Sequence, residues 1–537
     1  MSERIFIGGA WPYANYRLHI GHLASLLPGD IIARYFRQCG SQVIYVSGTD
    51  CFGTPITETA RKENLHPMDV AKKFHEADVL DFQDLGFSYD NYGATFSDWH
   101  QTGVKKFFKI INDNGYLYKK ENMQVFCEND NKFLSDREIG GICTECGSST
   151  KGDQCDSCLS LLTPQDLKEK YCLICGEKTI MSPNKELAFL LSKFQRQQEE
   201  YFNSNKGNWR INAINETEKY LKQGLKDRDV TRNIDWGVHV PFEGYENKKI
   251  YVWVEAVLGY LTSGRQAAEK LNIDFDEFMK DTDNLRTYYV HGKDNIPFHT
   301  TIFPALIMAL KKDIQLPKYI ISSEYVNMGS EKMSKSKGNM ITIRDLLDSC
   351  ESDTIRFYFM MNNPEKRDIF FSYEDLVHVH NKILVGGFGN FINRNLSFLM
   401  KQFAGVVPSG IVNSDIIDIT KKFYINIGNN IALGNFRVSI EEMIEYIQIA
   451  NKYYDEQQPW VQVKTAPDIF ANITATCLYM MANMSNLFAP VLVNGCGTLR
   501  DMLQISQDLC WNPINVKSNL KLVECPILYN RLELPQD

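Results

Sequence analysis

The sequence predicts an α/β protein built on a parallel sheet, broken by a cysteine-rich insertion and followed by an all-α region. Three observations predict it. Residues 1–50 alternate strand, helix and strand; residues 120–185 are rich in Cys, Gly, Asp and Ser; from about residue 376 long helical apolar patterns dominate.

Arg4-Ile5-Phe6-Ile7-Gly8-Gly9 reads as a buried strand, followed by a turn around Trp11-Pro12-Tyr13. Over residues 18–38 apolar side chains recur at three- and four-residue spacings (Ile31, Ile32, Tyr35, Phe36), which predicts a helix ending at Gly40. Residues 42–47 form a second strand. Strand, helix and strand at this length imply a right-handed parallel unit, with ligands at the carboxyl end of the first strand. Neither Gly-x-Gly-x-x-Gly nor a Walker A loop is present, which disfavours two common nucleotide-binding classes. Buried strands are expected again at 250–254 and 287–291, as though one sheet resumes after the insertion. Helical patterns then run through 381–400, 439–454 and 469–487, while 500–537 is the least readable stretch.

The bulk numbers bound the function. The 537 residues are 44% hydrophobic and 23% charged, ordinary for a soluble globular protein of about three or four domains. A net charge of −8 means that any nucleic acid must be held by local patches, against the overall field. No apolar run reaches membrane-spanning length and no signal peptide is expected. Six of the fourteen cysteines form three C-x-x-C pairs, which points to metal in a reducing cytoplasm.

His19-Ile20-Gly21-His22 sits where the first loop enters the helix. A helix amino terminus offers unpaired N–H groups and partial positive charge, which suits phosphate. The two imidazoles share one helix face, and Gly21 allows close approach to the backbone. About 310 residues later comes Lys332-Met333-Ser334-Lys335-Ser336, flanked by Gly329 and Gly338. Alone, the first is compatible with packing histidines and the second with a solvated basic loop. Together, in this order and separation, they resemble the double signature of class I aminoacyl-tRNA synthetases. In that chemistry an amino-acid carboxylate attacks the α-phosphate of ATP and expels pyrophosphate. No protein nucleophile is needed; the protein must position two anions and neutralise charge growing on phosphate. His19, His22, Lys332 and Lys335 are the expected catalytic set, with His19, Gly21, His22, Asp294 and Lys335 binding ATP, which arrives with Mg2+.

Further segments narrow the resemblance to methionyl-tRNA synthetases across essentially the whole chain. They are Ala10-Trp11-Pro12-Tyr13-Ala14-Asn15, Gly48-Thr49-Asp50, Gly53-Thr54-Pro55-Ile56, Tyr251-Val252-Trp253-Val254-Glu255-Ala256, Gly259-Tyr260 and Gly292-Lys293-Asp294 with Phe298-His299. The resemblance implies L-methionine as substrate and tRNA(Met), elongator and initiator, as partner. It implies that Asp50 takes the ammonium and that Ala10, Trp11, Pro12, Tyr13, Trp253, Ala256, Tyr260 and His299 build the pocket, with Arg232 near substrate. An aromatic slot suits a polarisable thioether. Four positions depart from the commoner pattern: Trp11 for Leu, Phe52 for His, Val257 for Pro and Phe303 for Trp.

The resemblance also implies a Rossmann-like catalytic domain in two halves (1–118 and 231–325), a zinc-knuckle insertion (119–230), a linking region carrying the lysine loop (326–375) and an α-helical anticodon-binding domain (376–537). Cys143, Cys146, Cys155 and Cys158 are two thiolate pairs, sufficient for one structural Zn2+. Cys127 stands where two-zinc relatives carry another C-x-x-C, with Asp130 in its second position; a second zinc held by Cys127, Asp130, Cys172 and Cys175 is one reading, and a vacant site or one completed by water are the others. In the carboxyl-terminal half, Asn390, Arg394 and Trp460 match residues that read the anticodon in this family. Nothing after the helical region resembles an appended dimerising domain, so a monomer is expected. Synthetases for leucine, isoleucine or valine usually carry a larger editing insertion, and the cysteine enzyme lacks the anticodon trio. A small nucleotidylyltransferase lacks an anticodon-like domain. A zinc- and RNA-binding protein of this fold without catalysis has no need of both phosphate elements.

Overall fold

The computed structural model describes residues 3–134, 138–152, 155, 157, 167–328, 340–517 and 520–534. At its centre lies a five-stranded parallel sheet. β1 (Arg4–Gly9) is the middle strand, flanked on one side by β2 (Gln42–Thr49) and then β3 (Asn91–Ala94). On its other side come Leu285–Gly292 and Tyr319–Ser323. Ile7 stands opposite Tyr45 on one neighbour and Tyr288 on the other. The chain leaves β1 toward β2, but its later strands join on the opposite edge. That reversal opens a crevice beyond the carboxyl ends of β1 and Leu285–Gly292, where an open α/β sheet binds ligands.

The crossover helix α1 (Ile20–Gln38) follows the expected span, and Gly40 beyond it takes a left-handed φ of 78°. Pro28 lies inside this helix and cannot donate to the carbonyl of Ala24. Asn363 supplies the missing donor through its side-chain amide at 3.1 Å, and the Ser323 hydroxyl adds a long contact at 3.5 Å. The helix therefore stays seated on the sheet despite its proline.

The insertion is a long antiparallel ribbon, Leu117–Cys127 against Ile180–Phe189, paired from Leu117↔Phe189 to Phe126↔Ile180. At its far end sits a small sheet of Ser149–Lys151, Ile139–Cys143 and Leu167–Cys172. The cluster of buried residues there is small and half sulfur: Cys127, Cys143, Cys155 and Cys172 join Val125, Leu134, Ile139 and Leu167.

One expected strand is overturned. Residues 250–254 do not form a strand; Lys249–Ile250 is a two-residue bridge, and Val252–Lys270 is a 19-residue helix. The Ile-Tyr-Val-Trp-Val run has strand propensity, but tertiary packing overrides it. This helix is buried on nearly every side, so its sequence lacks the amphipathic stripe that marks a helix. The strand expected at 287–291 is present as Leu285–Gly292.

The carboxyl-terminal region is helical: Asn390–Phe403, Ser414–Leu433, Phe436–Gln457, Pro467–Leu487 and Val493–Met502. The helix expected from 381 begins as a π-helical stretch, His380–Gly389, before reverting to α geometry. Beyond Met502 the described residues form no further helix or strand, and Leu520, Leu522 and Tyr529 are buried. No helix among the described residues is long and apolar enough to cross a membrane.

Candidate active site and metal centres

α1 begins with an unusual cap. His19 is the N-cap, in extended conformation, and its Nδ1 accepts the Gly21 N–H at 3.1 Å. His22 reciprocates: its Nδ1 accepts the His19 N–H at 3.2 Å. The two rings lie 3.9 Å apart. A ring nitrogen that accepts carries no proton, so each neutral imidazole must be protonated at Nε2. The cap thus sets which ring nitrogen of each neutral imidazole carries the proton, and His19, Gly21 and His22 line the adjoining cleft.

That cleft is walled by the carboxyl ends of three strands. Ala10–Tyr13 follow β1, Gly292 ends the strand Leu285–Gly292 with Asp294 and Asn295 just beyond it, and Glu324–Val326 follow Tyr319–Ser323. The Asp294 carboxylate accepts the Tyr325 hydroxyl, and Lys293 bridges Glu324 at 2.7 Å and Asp368 at 2.9 Å. The base of the segment that returns from residue 340 pairs with the histidine loop: Ile20 N–H donates to Ile341 and Ile343 N–H to Leu18.

A narrower pocket opens beside this cleft, lined by Ala10, Trp11, Tyr13, Asp50, Trp253, Ala256, Val257, Tyr260, Asn295, Phe298 and His299. Ala10, Trp11, Tyr13 and Asn295 line both spaces, so the two share a wall. His299 Nδ1 lies 2.8 Å from the Asn295 carbonyl and must donate to it, leaving Nε2 to accept the Tyr260 hydroxyl at 2.8 Å. Burial pulls the His299 pKa down to about 4, so the ring is neutral at physiological pH. Tyr13 accepts from the Trp253 indole N–H, and Phe298 packs edge-on to Trp253 at 4.1 Å. Asp50 is the acidic residue of this lining; burial pushes its pKa well above the usual carboxylate range.

The structure brings together every residue expected for the pocket except Pro12, which lines only the wider cleft. Arg232 lines neither; its guanidinium donates to the Thr231 and Asp229 carbonyls and lies 4.2 Å over the Tyr251 ring. Lys332 and Lys335 lie outside the described residues. Asn295, Glu324 and Tyr325 were not singled out by sequence reasoning, though Asn295 falls between Asp294 and His299, just past a predicted strand; Phe298 was named there as part of the resemblance but given no place in the pocket.

With this geometry in place, comparison with known proteins decides the family. Residues 5–396 match the family described as tRNA synthetases class I (M). Methionine–tRNA ligase 1 of Alkaliphilus oremlandii is 40% identical over 529 residues, covering 98% of this chain and 97% of that protein. Methionine–tRNA ligase of Bacillus cereus (strain G9842) is 42% identical over 534 residues, covering 99% and 97%. The chain belongs to the class I methionine–tRNA ligase family. Its fold also matches that of a methionyl-tRNA synthetase from Mycobacterium tuberculosis, solved with methionyl-adenylate, at a TM-score of 0.81 and 22% identity over 99% of this chain and 100% of that one.

In this ligase-family chain the cysteines gather into two groups. Cys127, Asp130, Cys172 and Cys175 place one ligand atom each within 4.8 Å of one another. Their contacts are 3.4 Å between Cys127 and Cys175, 3.3 Å from Cys127 to Asp130 and 3.1 Å from Cys172 to Asp130. Cys143, Cys146 and Cys155 form the second group, with 3.6 Å between the last two sulfurs. A tetrahedral zinc with bonds of about 2.3 Å sets its sulfurs about 3.8 Å apart, close to these spacings. Both groups can therefore hold a metal ion; Cys158 lies outside the described residues.

In the helical region of the family chain, Arg394 donates to Asp455 at 2.9 Å and to Asn451 at 3.2 Å, and its guanidinium lies 4.8 Å over Tyr454. Trp460 is 44% exposed, with its ring 5.7 Å from the same tyrosine. Asn390 is exposed at the start of the helix that carries Arg394. Tyr454 thus joins two of the three expected anticodon residues into one surface cluster.

Proposed function

We propose that this chain is a methionine–tRNA ligase: it activates L-methionine with ATP to methionyl-adenylate and pyrophosphate, then transfers methionine to the 3′-terminal adenosine of tRNA(Met). The observation that carries this reading is the shared wall. An amino acid whose side chain fills the narrow pocket presents its carboxylate at the boundary with the cleft that two histidines line.

The residues take these roles. Asp50 accepts the substrate ammonium, a charge-assisted contact strengthened by burial. Ala10, Trp11, Pro12, Tyr13, Trp253, Ala256, Tyr260 and His299 surround the thioether, and the neutral His299–Tyr260 pair keeps that lining uncharged. His19 and His22 donate from Nε2 to phosphate oxygens, while Gly21 and Asp294 line the nucleotide space. The substrate carboxylate oxygen bonds to the α-phosphorus as the bond to the pyrophosphate oxygen breaks. Lys332 and Lys335 neutralise the leaving pyrophosphate, and Mg2+ accompanies ATP. A hydroxyl of the terminal adenosine then attacks the adenylate carbonyl and AMP leaves.

The catalytic work falls to 1–118 and 231–325, with the lysine loop in 326–375. The insertion 119–230 carries structural zinc held by Cys143, Cys146, Cys155 and Cys158, and a second by Cys127, Asp130, Cys172 and Cys175. All-thiolate or thiolate–carboxylate closed sites order the chain and activate no water. The region 376–537 reads the anticodon through Asn390, Arg394 and Trp460, where splayed bases stack on aromatic rings. Amino-acid-dependent ATP–pyrophosphate exchange tests the whole reading: methionine alone among methionine, leucine, isoleucine, valine and cysteine should support it. Exchange with another amino acid sinks the pocket assignment. No exchange from folded, zinc-loaded protein favours an RNA-binding protein without catalysis.

A further inference from the structure

Behind the pocket floor lies a buried polar pair that none of the roles above uses. Glu255, on the helix Val252–Lys270, is fully buried, and its Oε2 lies 2.5 Å from Nε2 of His100. The other side of that imidazole fixes its protons. Thr262 donates its hydroxyl hydrogen to the Gly259 carbonyl at 3.1 Å, so its oxygen must accept at 3.0 Å from His100 Nδ1–H. One hydrogen is left for the Nε2–Oε2 contact. If it sat on Nε2 the pair would be a buried imidazolium and carboxylate, with Glu255 Oε1 facing no donor among the described residues. A bare carboxylate oxygen in a dry site is far costlier than a carbonyl oxygen in the same place.

We propose that Glu255 works as a neutral carboxylic acid that keeps its proton and donates a hydrogen bond to His100 Nε2, and so leaves Asp50 as the sole negative charge that meets the methionine ammonium. The reading rests on the methionine site proposed above. Glu255 is a positioning residue: it does not line the pocket, but its partner His100 packs against Trp11 with ring centroids 6.0 Å apart. The titratable groups that face Glu255 are His100, Asp50 and Tyr13. Burial acts in the same direction on both partners, raising the Glu255 pKa well above its usual range and pulling that of His100 down to about 3. An ionised Glu255 would stand beside Asp50 and draw the ammonium away from it; a neutral one keeps a single anchor at the pocket wall.

Glutamine mimics a protonated carboxyl, because its amide can donate to His100 Nε2. With pyrophosphate exchange as the assay, Glu255→Ala is expected to raise the KM for methionine about tenfold with a smaller fall in kcat. Glu255→Gln should return KM to within about threefold of the parent. Equal impairment of the two variants, each shown folded by thermal melting, would overturn the proposal. A second measurement does not depend on substrate: difference infrared spectroscopy of the parent against Glu255→Gln at pH 7.5. A protonated-carboxyl carbonyl band present only in the parent supports the neutral acid; a carboxylate band in its place overturns it. Absence of exchange with any amino acid would sink the proposed function while leaving the infrared result to judge Glu255.

Discussion

Asp50 shows how a single residue can be costly to the fold and necessary to the site. Its carboxyl is nearly inaccessible, and burial raises its pKa. A group whose folded pKa lies above its unfolded one binds its proton more tightly in the folded chain. Asp50 therefore favours the fold at low pH, and that contribution is lost as pH rises through the folded value. Binding of an ammonium demands the opposite, the ionised form. The KM for methionine is expected to rise as pH falls, read by exchange assays across a pH series. Asp50→Asn should melt no lower than the parent at pH 8, yet lose roughly 2–5 kcal/mol of methionine affinity, as expected when one partner of a buried charge pair is removed. The exposed Trp460 gives the complementary case. Trp460→Ala should lower tRNA charging by on the order of tenfold or more, about 1–3 kcal/mol of lost stacking, with exchange unchanged. An equal fall in exchange would refute its assignment to the anticodon.

At the scale of elements, the first turn of α1 serves both the fold and the chemistry. Because His19 caps the helix through Nδ1, its replacement removes a cap as well as a donor. His19→Asn retains a side-chain oxygen for the cap and is expected to keep stability within about 0.5 kcal/mol, whereas His19→Ala should cost about 1 kcal/mol. Both should lose exchange, so melting and exchange measured together separate the two roles. The insertion behaves differently. Its buried cluster is small and rich in cysteine, so chelation should melt it without unfolding the central sheet, as proteolysis confined to residues 119–230 would reveal. These contrasts also explain what could be read in advance. The histidine tetrapeptide, the C-x-x-C pairs and β1 announce themselves by spacing. The helix at Val252–Lys270 does not, because an element buried all round carries no stripe, and its β-branched opening imitates a strand.

Across the whole molecule, one fully buried arginine ties the sheet to the helical region. Arg356 meets Asp30 of α1 at 2.6 Å and donates to the Leu85, Pro490 and Val491 carbonyls. Burial would raise the Asp30 pKa, but Arg356 and Arg34 prevail and hold it at about 2. A depressed pKa stabilises above the unfolded value and is lost as pH falls through the folded one. This link is accordingly expected to hold at neutral pH and fail between about pH 4 and 2. Arg356→Ala leaves a buried carboxylate unpaired and should cost about 3–5 kcal/mol, measurable by denaturant unfolding. Nothing in the sequence singles out Arg356 or Asp30, since their partnership spans more than three hundred residues and only the folded chain creates it. The His100–Glu255 pair was equally hidden: one acidic residue in an apolar run gives no hint of its partner.

Trp11 is wedged where backbone comes closest. A methyl group added at Gly48 would lie 2.3 Å from its ring, at Gly259 2.9 Å and at Gly93 3.3 Å. The indole is therefore a keel locked in a three-sided keyway cut by missing side chains. Gly48 and Gly93 lie on neighbouring strands and Gly259 on the helix above them, and none of the three lines the pocket. Pocket depth is set by these silent positions, so an alanine at Gly259, whose added methyl has only Trp11 ring atoms as its three nearest neighbours, would show itself as altered choice among amino acids of different length.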